Sequence, residues 1–408
     1  MKMDEESKRQ IKGTVVANIE TMTSRQRVKA TLNRETTDRM PIDLGSHMST
    51  GISVFAYWHL REYLGLNTDE IWIPDMVQLL AHVEEDILQR FHCDCLLLEP
   101  EWTRAKKWNP RAGYEYTVPE DIDLQYDDSG YWIVRDKDGK RQMKMPQDGY
   151  FFSGDWLCRY NERDEDAALA LYAQQAKRIY KETDYAMNFL GYSRGPGVLE
   201  AGTFFYGIDH AMQMLTDPKE VHAQQERMCR ESIEYAGKVI ETLGEYIQLY
   251  SIGNDMGSQQ GPLCNPAHIE EFCIPYYKRF CDFIHANSDI KIFLHSCGSI
   301  QPLIPLFIEA GIDVLNPIQI SANDMDPNDL KEKFGDKIIF WGGGCDTQNI
   351  LGSKGPEEVA GHVREMVNIF KNNNGYVFTA SHNILGNVSP ENIVAMYDAA
   401  YDAAFYAN

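Results

Sequence analysis

The chain has 408 residues, 43% hydrophobic, 25% charged and 11% aromatic, a composition that can bury a large core and that excludes a disordered or fibrous protein. Its formal net charge is −22, from 61 acidic and 39 basic residues; such a field repels phosphate backbones and anionic lipid headgroups, so neither nucleic acid nor a membrane surface is an expected partner. No apolar run approaches the ~20 residues that span a bilayer, the start MKMDEESKRQ is charged where a secretory signal is apolar, and nine scattered cysteines argue against a disulfide framework, which together predict a cytoplasmic protein.

Eight short apolar runs end in Gly, Asn, His or acidic residues: MPIDLGSH (40–47), CDCLLLEP (93–100), YAMNFLGY (185–192), YIQLYSIGND (246–255), KIFLHSCG (291–298), DVLNPIQI (313–320), KIIFWGGG (337–344) and GYVFTASH (375–382). They read as strands buried on both faces. Between most of them lie amphipathic segments, and Asp217-Pro218, Asn265-Pro266 and Ser389-Pro390 each pair a capping residue with proline at a first helical turn. Strand then helix, about eight times, favours an α/β protein folded as one (β/α)8 TIM barrel over residues 1–408, although an open doubly wound sheet gives a similar alternation. Residues 101–158 break the rhythm. The KDGK stretch between YWIVRD and RQMKMP signals a two-residue hairpin, so this segment reads as a β-rich insertion after the second strand, near the barrel mouth.

In a parallel barrel the loops after the strands form the active face. The residues found there are His47, Glu99, Glu101, Glu200, Asn254, Asp255, His295, Cys297, Asn316, Gln319, Cys345, Asp346 and His382. His295 and Cys297 have period-two spacing, which on an extended segment puts both side chains on one face, as two ligands of one ion require. The same spacing also suits two core residues. Cys345 follows three glycines at another strand end; a histidine, two thiolates and an open position describe catalytic zinc, with Glu200 or His382 available as a fourth ligand. Asp255 could orient a ligand, accept a substrate proton or cap its own loop. Cys93 and Cys95 open a strand instead of ending one and read as core, as do Cys229, Cys273 and Cys281 within helical patterns. The glycines match neither a phosphate loop nor a dinucleotide fingerprint, and no serine nucleophile elbow occurs.

The stretches TSRQRVKATLNRETTDRMPIDLG, SIGNDMGSQQGPLCNPAHIEEFCIPYYKRF, FLHSCGSIQPLIPLFIEAGIDVLNPIQ, FWGGGCDTQNILGSKGPEEVAGHV and SHNILGNVSPENIVAMYDAA together resemble the uroporphyrinogen decarboxylase superfamily, and within it the corrinoid-linked methyltransferase branch. The resemblance implies a single (β/α)8 barrel, a zinc held by a His-x-Cys pair and a later cysteine, and methyl exchange with a corrinoid (cobalamin) on a partner protein. His295 and Cys297 match the pair. The third ligand is expected at Cys345; in the coenzyme M methyltransferases of the branch it falls near the C-terminus, where this chain has His382. The decarboxylases carry an Arg-rich segment after the first strand. Here LGSHMSTGISVFAYWHLREYLG lacks the paired arginines, and an acidic protein poorly traps an eight-carboxylate tetrapyrrole.

The expected activity is therefore zinc-dependent transfer of a methyl group from a methoxylated aromatic to cobalt(I) of a separate corrinoid protein. His295, Cys297 and Cys345 are the expected ligands, Asp255, His382 and Glu200 the catalytic residues, and Glu99, Glu101, Tyr192, Tyr206, Asn254 and Gln319 the substrate contacts. The aromatic donor is suggested by Trp58, Trp72, Trp102, Trp108, Trp132, Tyr192, Phe204, Phe205 and Tyr206 near the expected mouth. Transfer from methyl-corrinoid to a thiol, a metal-free decarboxylase-like lyase and a non-catalytic carrier or sensor barrel are the competing expectations.

Overall fold

The computed structural model describes residues 19–99, 104–136, 138–140, 142–154, 165–191, 195–196 and 208–406. Seven strands form one parallel sheet: β1 (Cys95–Leu97), β8 (Ala186–Leu190), β9 (Leu249–Gly253), β10 (Lys291–His295), β11 (Val314–Asn316), β12 (Ile339–Trp341) and β13 (Tyr376–Val377). The first apolar run closes the ring. Ile42 bridges Phe378 in parallel, Asp43 N–H donates to Phe378 O, and on the other side Asp94 N–H donates to Ile42 O, both at 2.8 Å. The eighth position is thus held by single bridges and not by a full ladder, because Pro41 has no N–H to give and the chain turns at Gly45 (φ +87). The result is the predicted (β/α)8 architecture.

Alternation along each strand sorts side chains between two cores. Cys95, Ala186, Leu249, Phe293, Val314, Ile339, Trp341 and Val377 share one buried cluster, the inside of the ring, while Met187, Tyr250, Ile292, Leu294, Leu315, Phe340 and Tyr376 join the larger cluster beneath the helices. The expected helix starts are present. Asp217, Asn265 and Ser389 each accept a hydrogen bond from a first-turn N–H, with proline at N1 or N2. Cys95 belongs to the inner cluster and Cys93, Cys273 and Cys281 to the outer one.

Between β1 and the helix α4 (Glu165–Glu182) the described residues of 101–158 form two antiparallel sheets. One pairs β2 (Ala105–Trp108) with β3 (Tyr116–Pro119); the other orders β4 (Asp123–Tyr126), β5 (Tyr131–Arg135), β6 (Gln142–Pro146) and β7 (Ser153–Gly154). Among the described residues the β5–β6 ladder ends at Arg135 and Gln142. Asp136 organises the turn, accepting from Gly139 N–H through its carbonyl and from Lys140 N–H through its carboxylate. These sheets lean on the mouth side of the barrel, where Phe152 N–H donates to Val77 O and the Tyr150 ring lies against Gly386.

Candidate metal centre

Inward alternation places the site. Phe293 points into the ring, so His295, two residues on, does too, one layer nearer the mouth, and Cys297 stands just past the strand end. Above the apolar layer the lining turns polar: Ser251 Oγ donates to Asn188 Oδ1 at 2.7 Å, Asn188 Nδ2 donates to Ser46 O at 2.9 Å, and Asn316 stands beside His295 in register.

His295, Cys297 and His382 bring one ligand atom each to within 4.8 Å of one another, and among the described residues they are the metal-capable group of three. Cys297 Sγ is 3.3 Å from His295 Nε2. Closing on an ion would draw all three to roughly 3.5 Å, the edge of a tetrahedron with bonds of about 2.0–2.3 Å. His382 arrives from the loop after β13, which is pinned to the loop after the first strand: Gly51 N–H donates to Asn383 Oδ1 at 2.8 Å and Ile384 N–H to Gly51 O at 3.0 Å. Burial, reinforced by neighbouring His295, pulls the His382 pKa down to about 4 against the opposing Asp255 charge. That favours the neutral ring, which offers a lone pair as a ligand must.

Asp255 Oδ1 accepts from Cys297 N–H at 2.7 Å and lies 3.5 Å from His295 Nε2, with a third of its side chain open to solvent. It fixes the loop that aims the thiol and leaves a carboxylate beside the open side of the cluster. Gly298, φ +91, turns the chain immediately afterwards, and a Cβ there would meet Gly257 C at 2.4 Å. Gly298→Ala should force apart the loops carrying Asp255 and Cys297, a strain of about 1–3 kcal/mol, and zinc titration should show affinity falling by roughly tenfold or more.

Cys345 requires correction. Its thiol is fully buried in the outer core, 4.0 Å from the Asp346 carbonyl, and burial, with Asp346 nearby, pushes its pKa far up. The glycines do turn the chain, at φ +102 and +76, but Gly344 N–H is tied to Thr379 O and Ser381 N–H to Cys345 O, so the thiol faces away from the cluster. His382 stands where Cys345 was expected.

Of the expected substrate contacts, Asn254 is also corrected: wholly buried, it donates to Tyr277 Oη at 2.9 Å on the helix Ile274–Asn287 outside the ring. Gln319 sits at the rim, accepting from Gly298 N–H at 2.7 Å and donating to Gln259 Oε1 at 2.6 Å. Glu99 holds His82, whose Nδ1 is 2.8 Å away; burial lowers the His82 pKa, and Glu99 more than offsets this. Glu101, Tyr192, Glu200 and Tyr206, like Trp102, Phe204 and Phe205, lie outside the described residues. Trp58, Trp108 and Trp132 are spent on packing: Trp58 edges onto Tyr114 and Tyr116, and Trp108 onto Trp132 at 5.4 Å. Two residues outside the expected set contact expected ones: His82 pairs with Glu99, and Ser49 Oγ donates to Asn316 Oδ1 at 2.6 Å beside His295. Ser49 was detectable as a polar residue just past the first strand; His82 carried no spacing signal.

A family model described as Uroporphyrinogen decarboxylase (URO-D) matches residues 157–403, more than half of the chain. A methyltransferase from Methanosarcina mazei shares the fold, with a TM-score of 0.57 and 14% identity over 94% of this chain and 99% of that one. An endo-β-mannanase/endo-β-glucanase of Prevotella bryantii, 11% identical over 60% of this chain and 40% of that one, scores 0.37, too low to carry an argument. No curated protein matches.

Proposed function

Because the chain belongs to the uroporphyrinogen decarboxylase family, we propose that it is a zinc-dependent methyltransferase of that family, which moves a methyl group from a methoxylated aromatic to cobalt(I) of a separate corrinoid protein. The observation that carries this reading is the convergence of His295, Cys297 and His382 at the mouth of the ring. Two imidazole nitrogens and one sulfur are a donor set suited to zinc, and three protein ligands leave the open position of a catalytic site. Zinc bound there would supply Lewis acidity to the leaving oxygen, lowering the barrier by several kcal/mol.

The chain's own residues do the rest. In this transfer the carbon–oxygen bond breaks, the methyl group goes to the corrinoid and the oxygen keeps the bonding pair. That developing charge needs a cationic or hydrogen-bonding environment, and the burial of the polar side chains around His295 would strengthen such interactions by keeping water away. Asp255 holds the Cys297 backbone and stands ready to orient a protonated donor or the water that reprotonates the product. The insertion against residues 71–80 and 386 walls one side of the mouth. With Trp58, Trp108 and Trp132 engaged in packing, the preference for an aromatic ether rests on the ether chemistry itself.

The test mixes the purified protein with a cobalt(I) corrinoid protein and a panel of methyl ethers, alcohols, amines and thiols, and follows the cobalt absorbance. Methyl-cobalt should accumulate with a methoxylated aromatic and stop on chelation. Turnover unaffected by exhaustive zinc removal would overturn the reading.

A further inference from the structure

Four buried side chains form a hydrogen-bonded line from the end of the first barrel run to the ligand cluster, and the reading above uses only the last of them. His47 Nδ1 lies 2.8 Å from Ser49 Oγ, Ser49 Oγ lies 2.6 Å from Asn316 Oδ1, and Asn316 Oδ1 lies 2.8 Å from His295 Nδ1. None of the four is more than 4% exposed.

The protons on this line can be placed by elimination. Asn316 Nδ2 sits 2.9 Å from the Trp341 carbonyl, which can only accept, so the amide is oriented with Oδ1 towards Ser49 and His295. Oδ1 in turn only accepts, so Ser49 donates its O–H and His295 donates Nδ1–H. The Ser49 backbone N–H donates to His47 Nδ1 at 3.1 Å, so that nitrogen is an acceptor. Were it to take the hydroxyl proton as well, the two oxygens of Ser49 and Asn316, 2.6 Å apart, would have no proton between them. The His47 ring also stacks on His295, centroids 5.4 Å apart and planes 26° apart, which limits how far the ligand ring can swing.

We propose that Asn316 is the positioning residue of the metal centre: it holds His295 in the Nδ1–H tautomer, and His47 and Ser49 hold Asn316. The lone pair of His295 Nε2 then faces Cys297 and His382 before an ion arrives. A free imidazole side chain favours the opposite tautomer, with its proton on the nitrogen that here must bind. Deleting the Asn316 acceptor therefore puts a proton where the ion belongs. The consequence for zinc rests on the proposed function; the tautomer itself does not.

The experiment uses metal-free protein labelled with 15N-histidine, read by NMR at pH 8, alongside zinc affinity by competition with a chromogenic chelator. The unaltered protein should show His295 as Nδ1–H. Asn316→Leu should shift it to Nε2–H and weaken zinc by about 10–100-fold. Asn316→Asp keeps an acceptor for both donors, so it should keep the tautomer, and it serves if the leucine variant fails to fold. An Nε2–H proton on His295 in the unaltered protein or in Asn316→Asp overturns the proposal, as does an unchanged tautomer and zinc affinity in Asn316→Leu. The expected tautomer in a protein that binds no zinc would uphold the positioning role and sink the zinc reading alone.

Discussion

On the proposed function the unaltered protein should hold about one zinc per chain, and Cys297→Ala and His382→Ala should each lose it, whereas Cys345→Ala should keep it. The first two remove atoms of the group that converges at the barrel mouth, and two remaining ligands do not hold zinc firmly. Cys345→Ala removes a thiol buried in the outer core, and its effect should be a modest loss of thermal stability. In the methyl-transfer assay the losses in the first two variants should reach about 10³-fold, since several kcal/mol of barrier are at stake and each 1.4 kcal/mol is tenfold. Zinc content by elemental analysis decides between the ligand sets: retention in His382→Ala with loss in Cys345→Ala would restore the set expected from sequence.

The second large effect lies at the opposite end of the barrel, where a buried ion cluster staples the ring shut. Asp94 is completely buried and accepts from Arg27 Nη1 at 2.6 Å, Arg39 Nη1 at 2.7 Å and Ile42 N–H at 2.9 Å. The last bond ties the first run to β1, the joint at which the ring closes. Asp94→Ala would leave two buried guanidiniums facing one another and should cost about 3–5 kcal/mol, measured as a lowered denaturant midpoint at pH 7. The same cluster sets an acid limit. Burial raises the pKa values of Asp38 and Glu20, but hydrogen bonds and charge from Arg27 and Arg39, with backbone N–H groups at Asp38 and the Tyr401 hydroxyl at Glu20, more than offset it and leave both lowered. Below the unfolded values of 3.8 and 4.5 the unfolded chain therefore binds more protons than the folded one. Their stabilisation is complete above about pH 4.5 and should fade as pH drops through the folded values, as urea midpoints across pH 3–7 would show.

Local signals along the chain were enough for the ring and for half of the ligand group. Strands buried on both faces need no tertiary information to be recognised, because the apolar runs, the proline-initiated helices and their spacing are local signals. His295 and Cys297 were legible for the same reason: one ends a strand and the other follows two residues on, and period-two alternation along an extended segment gives them a common direction. Which residue completes the group was decided only in three dimensions. Cys345 and His382 both follow strand ends, and nothing local distinguishes them. The bonds that pin Gly344 and Ser381 turn one away, while the pairing of residues 383 and 384 with Gly51 turns the other in. Asn254 failed as a substrate contact because its neighbour Asp255 faces the mouth, so alternation turned Asn254 to the helix side. The hydrogen-bonded line through His47, Ser49, Asn316 and His295 joins the end of the first run to the ends of two neighbouring strands far along the chain, and it exists only because the closed ring lets the first run face them.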